Sequence, residues 1–142
     1  MHIADVLAGK GSSVLTVAPG SSVADLLAAL AGRNVGAAVV LDGARIAGIV
    51  SERDVVRGLH RKGAALLSAP IVDIMTTVVA TCRAHDDVES LTVLMTEKRI
   101  RHVPVVDNAG ILTGIVSIGD VVKSHIDEVE GQRRQLEAYI QG

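Results

Sequence analysis

Two matching stretches of this 142-residue chain carry residue types and spacing suited to chemistry: Gly48-Ile49-Val50-Ser51-Glu52-Arg53-Asp54 and Gly114-Ile115-Val116-Ser117-Ile118-Gly119-Asp120. In each, a β-branched run meets a serine, with an aspartate three residues later. That pattern predicts a strand running into a helix. A serine hydroxyl beside the first free helical N–H groups suits an anion or a ribose phosphate. An aspartate one turn in suits the vicinal hydroxyls of a sugar, as acidic residues do in dinucleotide folds. The glycine lets a ligand approach the backbone closely. The same Ser-x-x-Asp spacing is also a plain capping box, in which both side chains serve the helix's own N–H groups. Spacing alone leaves both readings open.

Other candidates carry less. Gly9-Lys10-Gly11-Ser12 has the composition of a phosphate loop, but glycine follows the lysine and no strand precedes it, so it reads as a plain loop. Gly9-x-Gly11 has no third glycine and makes no dinucleotide fingerprint. The histidines His2, His60, His85, His102 and His125 show no metal-ligand spacing with one another or with Cys82. Cys82 lies in an apolar run and reads as a core thiol. No nucleophile–base pair is suggested, so no catalytic residue, metal or catalytic cofactor is expected. Arg53, Arg57, His60, Arg61 and Lys62 crowd one helix; they suit phosphates or, equally, a solvated face that complements the helix C-terminus.

Composition narrows the function further. The chain is 49% hydrophobic but 1% aromatic, with net charge -2. It therefore lacks the stacking platforms and basic surplus of single-strand nucleic-acid binders, and the aromatic cages that hold methylated amines. A lone cysteine makes no internal disulfide, which points to a reducing cytoplasm. The N-terminus has no charged n-region or apolar h-region, and no apolar run approaches the roughly 18 residues of a membrane span.

The elements that must position the two stretches repeat as well. The motifs are offset by 66 residues, whereas Val39-Val40-Leu41-Asp42 matches Pro104-Val105-Val106-Asp107 at 65. The difference falls in a turn, Asp42-Gly43 in one copy and the longer Asp107-Asn108-Ala109-Gly110 in the other, so strand registers survive it. Each copy predicts a helical turn (residues 3–7 and 72–75), a short strand (14–17 and 79–82) and an amphipathic helix. Two strands (37–41 with 46–50, and 103–106 with 111–116) and a second helix follow. Ser22 and Asp25 have the spacing of a capping box for the first amphipathic helix. The order is β-α-β-β-α, an α+β class with helices covering one face of each small sheet. The last helix continues to about residue 140, weakened at Gly131. Its apolar Ile126, Val129, Leu136 and Ile140 suit an interface or a clamp on the chain itself.

These residues, with Met95-Thr96-Glu97-Lys98-Arg99-Ile100-Arg101-His102-Val103-Pro104-Val105-Val106-Asp107, resemble a tandem pair of cystathionine β-synthase (CBS) domains, a Bateman module, of the stand-alone bacterial kind. The resemblance covers about residues 2–128. It divides the chain into repeat 1 (1–62), a packed connector (63–70), repeat 2 (71–128) and a helical tail (129–142). It implies two repeats around a pseudo-two-fold axis with two clefts that take AMP, ADP, ATP, NAD or S-adenosylmethionine. Asp54 and Asp120 would hold ribose hydroxyls, and Ser51 and Ser117 ribose or phosphate. Thr16 and Thr81 would sit near the adenine edge, and Arg101 and His102, ahead of Val103-Pro104, near phosphates. The first copy has Gly36-Ala37 where the second has Arg101-His102, so one cleft loses charge. With no Phe or Trp, adenine would lie between aliphatic faces, for which Val17, Val39, Val103 and Ile115 are candidates. Gly48, Gly114 and Arg53 complete the expected ligand set. The implied function is a regulatory signalling module that works as a homodimer with an effector protein, without nucleic acid or membrane. The alternative is a ligand-free dimerisation and protein-interaction module.

Overall fold

In each repeat two Val- and Ile-rich runs pair as an antiparallel hairpin, because only a shared sheet satisfies their backbone while burying their β-branched side chains. The computed structural model describes residues 1–77 and 79–141. It contains α1 (Ile3–Lys10), β1 (Thr16–Val17), α2 (Val23–Arg33), β2 (Ala37–Asp42), β3 (Arg45–Ser51) and α3 (Glu52–Lys62). Two 3-10 turns follow, Gly63–Ser68 and Ile71–Asp73. The second half holds α4 (Val88–Lys98), β4 (His102–Val106), β5 (Leu112–Ser117) and α5 (Ile118–Gln141).

The two hairpins share one design. β2 pairs with β3 from Ala37↔Ser51 to Asp42↔Arg45, and β4 with β5 from His102↔Ser117 to Val106↔Leu112. Each has a bulge near its turn, between Val40 and Leu41 and between Val105 and Val106. The first bulge shifts the pairing by one residue, so the turn falls on Gly43-Ala44 rather than Asp42-Gly43; Gly43 takes a positive φ of 64°. In the longer second turn, Asp107 Oδ1 accepts the N–H groups of Ala109 and Ile111, both at 2.9 Å.

The first strand differs between copies. β1 runs parallel to β2, pairing Thr16↔Val39 and Val17↔Val40, and the Val39 N–H donates to the Leu15 carbonyl at 3.0 Å. In the second copy the expected strand at 79–82 is reduced to a single bridge, Cys82↔Val105. Pro104 stands where the first copy has Val39. It has no N–H to give to the Ala80 carbonyl, so the ladder loses that rung.

The sheets do not bury their own leading segments. Ile3 and Val6 of α1 pack in the second core, among Leu91, Met95, Val103, Val105 and Val116. Leu66, Ile71 and Ile74 pack in the first core with Leu26, Ala38, Val40 and Val50. Backbone bonds fix both crossings: Ile3 N–H to Asp86 O at 2.9 Å, and Ile71 N–H to Ser21 O at 2.8 Å. Within residues 63–70, Leu66 is fully buried in the first core, while most of its neighbours are exposed. Cys82 is buried in the second core; burial, with Asp86 adding to it, pushes its thiol up to about 12, so it remains a protonated core group.

Ser22 Oγ caps α2 by accepting the Asp25 N–H at 3.1 Å, and Asp87 caps α4 by accepting the Glu89 N–H at 3.2 Å. α5 runs unbroken through Gly131 for about 36 Å. Ile126, Val129, Leu136 and Ile140 are 49–80% exposed, so their stripe clamps nothing within the chain.

Gly48 and Gly114 serve these crossings. A Cβ on Gly48 would lie 2.6 Å from the Thr76 carbonyl, in the segment paired to Ile49; on Gly114 it would lie 3.1 Å from a Leu7 methyl. Backbone yields less than a side-chain tip. Gly48→Ala should therefore cost about 1–3 kcal/mol in urea unfolding, and Gly114→Ala clearly less. Equal costs would contradict the close approach at Gly48.

Candidate functional site

Both strand-to-helix junctions form as the motif spacing predicts. Ser51 ends β3 and caps α3; its N–H and its hydroxyl both donate to Asp54 Oδ2, at 2.8 and 3.1 Å. Ser117 ends β5, and its N–H donates to Asp120 Oδ2 at 2.8 Å while its Oγ accepts the Asp120 N–H at 3.1 Å. These are capping boxes. Each uses one carboxylate oxygen, and among the described residues Oδ1 of neither aspartate has a hydrogen-bond partner.

Each motif faces a cleft whose far wall comes from the other repeat. The first cleft, about 540 Å³, sets Ser51 and Asp54 against residues 76, 79 and 80 ahead of β4 and residues 98–102 at the end of α4. The second, about 670 Å³, sets Ser117 and Asp120 against Lys10, Ser13 and Leu15 ahead of β1 and residues 33–37 at the end of α2. The two linings correspond at the repeat offset. α2 and α4 both end in a left-handed residue, Asn34 and Arg99, each at φ 53°, which turns the chain into the cleft wall.

The crossing decides which cleft loses charge. Arg101 lines the first cleft with Asp54 and Ala37 the second with Asp120, while Gly36 and His102 border both. The first cleft gathers Arg53, Arg57, Lys98, Arg99 and Arg101 against Glu52 and Asp54. Among the described residues, the second has Lys10, Arg33 and the shared His102 as basic lining residues, against Asp120. Lys10 is already engaged: its Nζ donates to Asp120 Oδ2 at 2.6 Å and to the Ile115 carbonyl at 2.8 Å. Burial alone would raise the Asp120 carboxyl, but the bonds from Lys10 and Ser117 outweigh it and hold it below the usual carboxylate range.

Of the residues nominated from sequence, Ser51, Arg53, Asp54, Arg101 and His102 line the first cleft, and His102, Ile115, Ser117 and Asp120 the second. Arg57 of the basic helix also lines the first, and the other residues of the expected ligand set line neither. Val39, Val103 and Pro104 are sealed in the sheets with no accessible surface to offer a base. Val17 packs against the first core, and Thr16 and Thr81 are absent from the walls, where their neighbours Leu15 and Ala80 lie. Gly48 and Gly114 are covered by Thr76 with Met75 and by Leu7, so their small size admits the chain itself rather than a ligand. Sequence reading missed Lys10, Ile49, Lys98 and Arg99. Gly9 and Lys10 are the last turn of α1, not a loop. Among the described residues no cluster of His, Cys, Asp or Glu side chains could hold a metal ion.

The CBS domain family matches residues 5–61 and 71–127. A mitochondrial CBS domain-containing protein of Arabidopsis thaliana, CBSX3, is 37% identical over 149 residues, covering 99% of this chain and 72% of its own. The crystal structure of the CBS-domain protein ATU1752 of Agrobacterium tumefaciens superposes with a TM-score of 0.85 at 40% identity, covering 88% of this chain and 99% of that one. The CBS domain protein PAE2072 of Pyrobaculum aerophilum, complexed with AMP, gives a TM-score of 0.75 at 27% identity over 84% of this chain and 89% of that one.

His102 borders both clefts. Burial lowers its pKa below the ordinary value near 6.5; Asp120 and Glu52 pull it up, Lys10 and Arg101 down, and the net is a decrease. The unfolded chain therefore takes a proton at this position before the folded chain does. Stability from it is present above pH 6.5 and is lost as pH falls from there toward the lowered folded value. Urea unfolding between pH 5 and 8 should show this slope, and His102→Gln should flatten it. An identical pH profile for the variant would show that His102 does not carry the linkage.

Proposed function

The chain belongs to the CBS domain family, as a tandem pair of its domains, and on that premise we propose that it is a non-catalytic sensor of adenosyl nucleotides that signals to a partner protein. One observation carries the reading: the first cleft joins a half-free aspartate on one repeat to a cationic rim contributed largely by the other. Asp54, oriented by its cap, leaves Oδ1 for ribose hydroxyls. Arg53, Arg57 and Arg101 suit the phosphates of AMP, ADP, ATP or NAD. Ile49, Val79, Ala80 and Ile100 offer aliphatic faces for the base in place of aromatic stacking. The AMP complex of PAE2072 supports the ligand class.

A ligand bridging both walls favours whichever angle between repeats closes the cleft, by its differential affinity for the two states. A partner that reads that angle must in turn change nucleotide affinity by the same factor. The proposed compartment is the cytoplasm, supported by a single, buried thiol and no expected disulfide.

Calorimetric titration with AMP, ADP, ATP and NAD should give binding, and about 100 times Kd of ligand should stabilise the fold by about 2.7 kcal/mol. Asp54→Ala should weaken first-cleft binding at least about tenfold while leaving the chain folded. No heat and no thermal shift at millimolar concentrations of all four would refute the reading.

The helical tail favours a second component. Val122, Ile126, Val129, Leu136 and Ile140 follow alternating steps of three and four residues, with Arg133 filling the missing position, and all five are about half exposed or more. This face suits a two-fold homodimer, which would also serve a ligand-free interaction module. Sedimentation should give a dimer, and Leu136→Glu should shift it toward monomer. A monomeric parent chain at tens of micromolar would remove this component and leave the nucleotide reading intact.

A further inference from the structure

Among the described residues, no lysine or arginine bonds the Asp54 carboxylate as Lys10 bonds that of Asp120. Thr76, which lines the first cleft ahead of β4, has its backbone occupied in pairing with Ile49. We propose that Lys10 sets the ligand preference of the second cleft, admitting adenosyl ligands that carry a phosphate and disfavouring neutral nucleosides. The proposal rests on the nucleotide reading above and assigns a specificity to one of its two clefts.

The geometry leads there in three steps. First, the Lys10–Asp120 pair is not a surface ion pair. The two side chains are 28% and 22% exposed, and the ammonium makes a second bond, to the Ile115 carbonyl. Charge-assisted bonds in such partly enclosed places are stronger than the nearly neutral pairs of open surface. Second, the carboxylate is the group that a ribose diol would use, and its Oδ2 already accepts from Ser117 N–H as well as from Lys10. A diol that takes both oxygens of Asp120 competes at Oδ2 with an ammonium, whereas at Asp54 the second donor on Oδ2 is only the Ser51 hydroxyl. Third, the outcome of that competition depends on what else the ligand brings. A phosphate near the N-terminus of α5 gives the displaced ammonium a new anion, with Arg33 a further basic residue of the lining. A neutral nucleoside gives it none, and the lost bond counts in full against binding.

The displacement needs little backbone movement. Lys10 is in the last turn of α1, and Gly11 follows at φ 96°. The helix itself is anchored by Ile3 and Val6 in the second core. A four-carbon side chain can swing from carboxylate to phosphate while α1 stays docked.

The test compares AMP with adenosine on the full chain, using Asp54→Ala to weaken the first cleft. Adding Lys10→Met keeps the apolar stem and removes the charge. The AMP-to-adenosine affinity ratio should fall about tenfold or more, with adenosine gaining and AMP losing or holding. In parallel, carboxyl NMR should show Asp120 titrating nearer the usual carboxylate range in Lys10→Met, a readout that needs no ligand. Three results would overturn the proposal while first-cleft binding stands: an unchanged ratio, no AMP binding to the Asp54→Ala chain with or without Lys10, or an unmoved Asp120 titration. If the parent chain binds neither AMP nor adenosine, the nucleotide reading fails and this one with it.

Discussion

A sheet of two or three short strands cannot bury its apolar face with its own hairpin, and an isolated hairpin is marginal in water. The chain meets this constraint by exchange. α1, at the start of the first repeat, completes the second core, and the segment around Ile71 and Ile74 completes the first. Neither core is whole without residues from the far side of the other repeat. The clefts follow from that exchange, because the segments that cross over run past the motif of the opposite repeat before entering their own strand. Thr76 pairs with Ile49 beside Ser51, and Lys10 reaches Ile115 and Asp120.

The duplication is close in backbone and unequal in chemistry. Arg101 and its equivalent Gly36 differ in charge at matching positions, so the first cleft is strongly cationic and the second much less so. Lys10 bonds Asp120 Oδ2, where Asp54 Oδ2 has the Ser51 hydroxyl as its second donor. Pro104 also breaks the parallel ladder that Val39 sustains. Substitutions at single positions, at constant fold, have thus made two unlike sites from one repeat. His102 borders both, which gives the two clefts a shared wall and one titratable group in common.

What the sequence made legible was what depends on local pattern. Hydrophobic periodicity marked the helices and hairpins, and the 65–66 residue offset marked the repeat. The Ser-x-x-Asp spacing marked both caps, because a cap is fixed within four residues. What it hid depends on crossing chains. Gly48 and Gly114 read as openings for a ligand, yet the molecule's own Thr76 and Leu7 fill them. Val39 and Val103 read as walls for a base, yet both faces of their strands are buried, and the accessible wall passes to Ile49 and Leu15. Lys10 read as a loop residue because its role lies 110 positions away in the sequence.

The capping and ligand readings of the motif, opposed when only spacing is known, are compatible in three dimensions. A carboxylate has two oxygens, and the cap occupies Oδ2 with one or two donors from its own serine. Those bonds fix the plane of the carboxyl group, so Oδ1 is held in place before any ligand arrives. An acceptor oriented in advance loses less conformational freedom on binding than a free side chain would. The cap is therefore the device that prepares the site. On the proposed reading, stability and recognition fall to different atoms of one residue, and the bond from Lys10 to Asp120 leaves intact the cap that Ser117 makes with it.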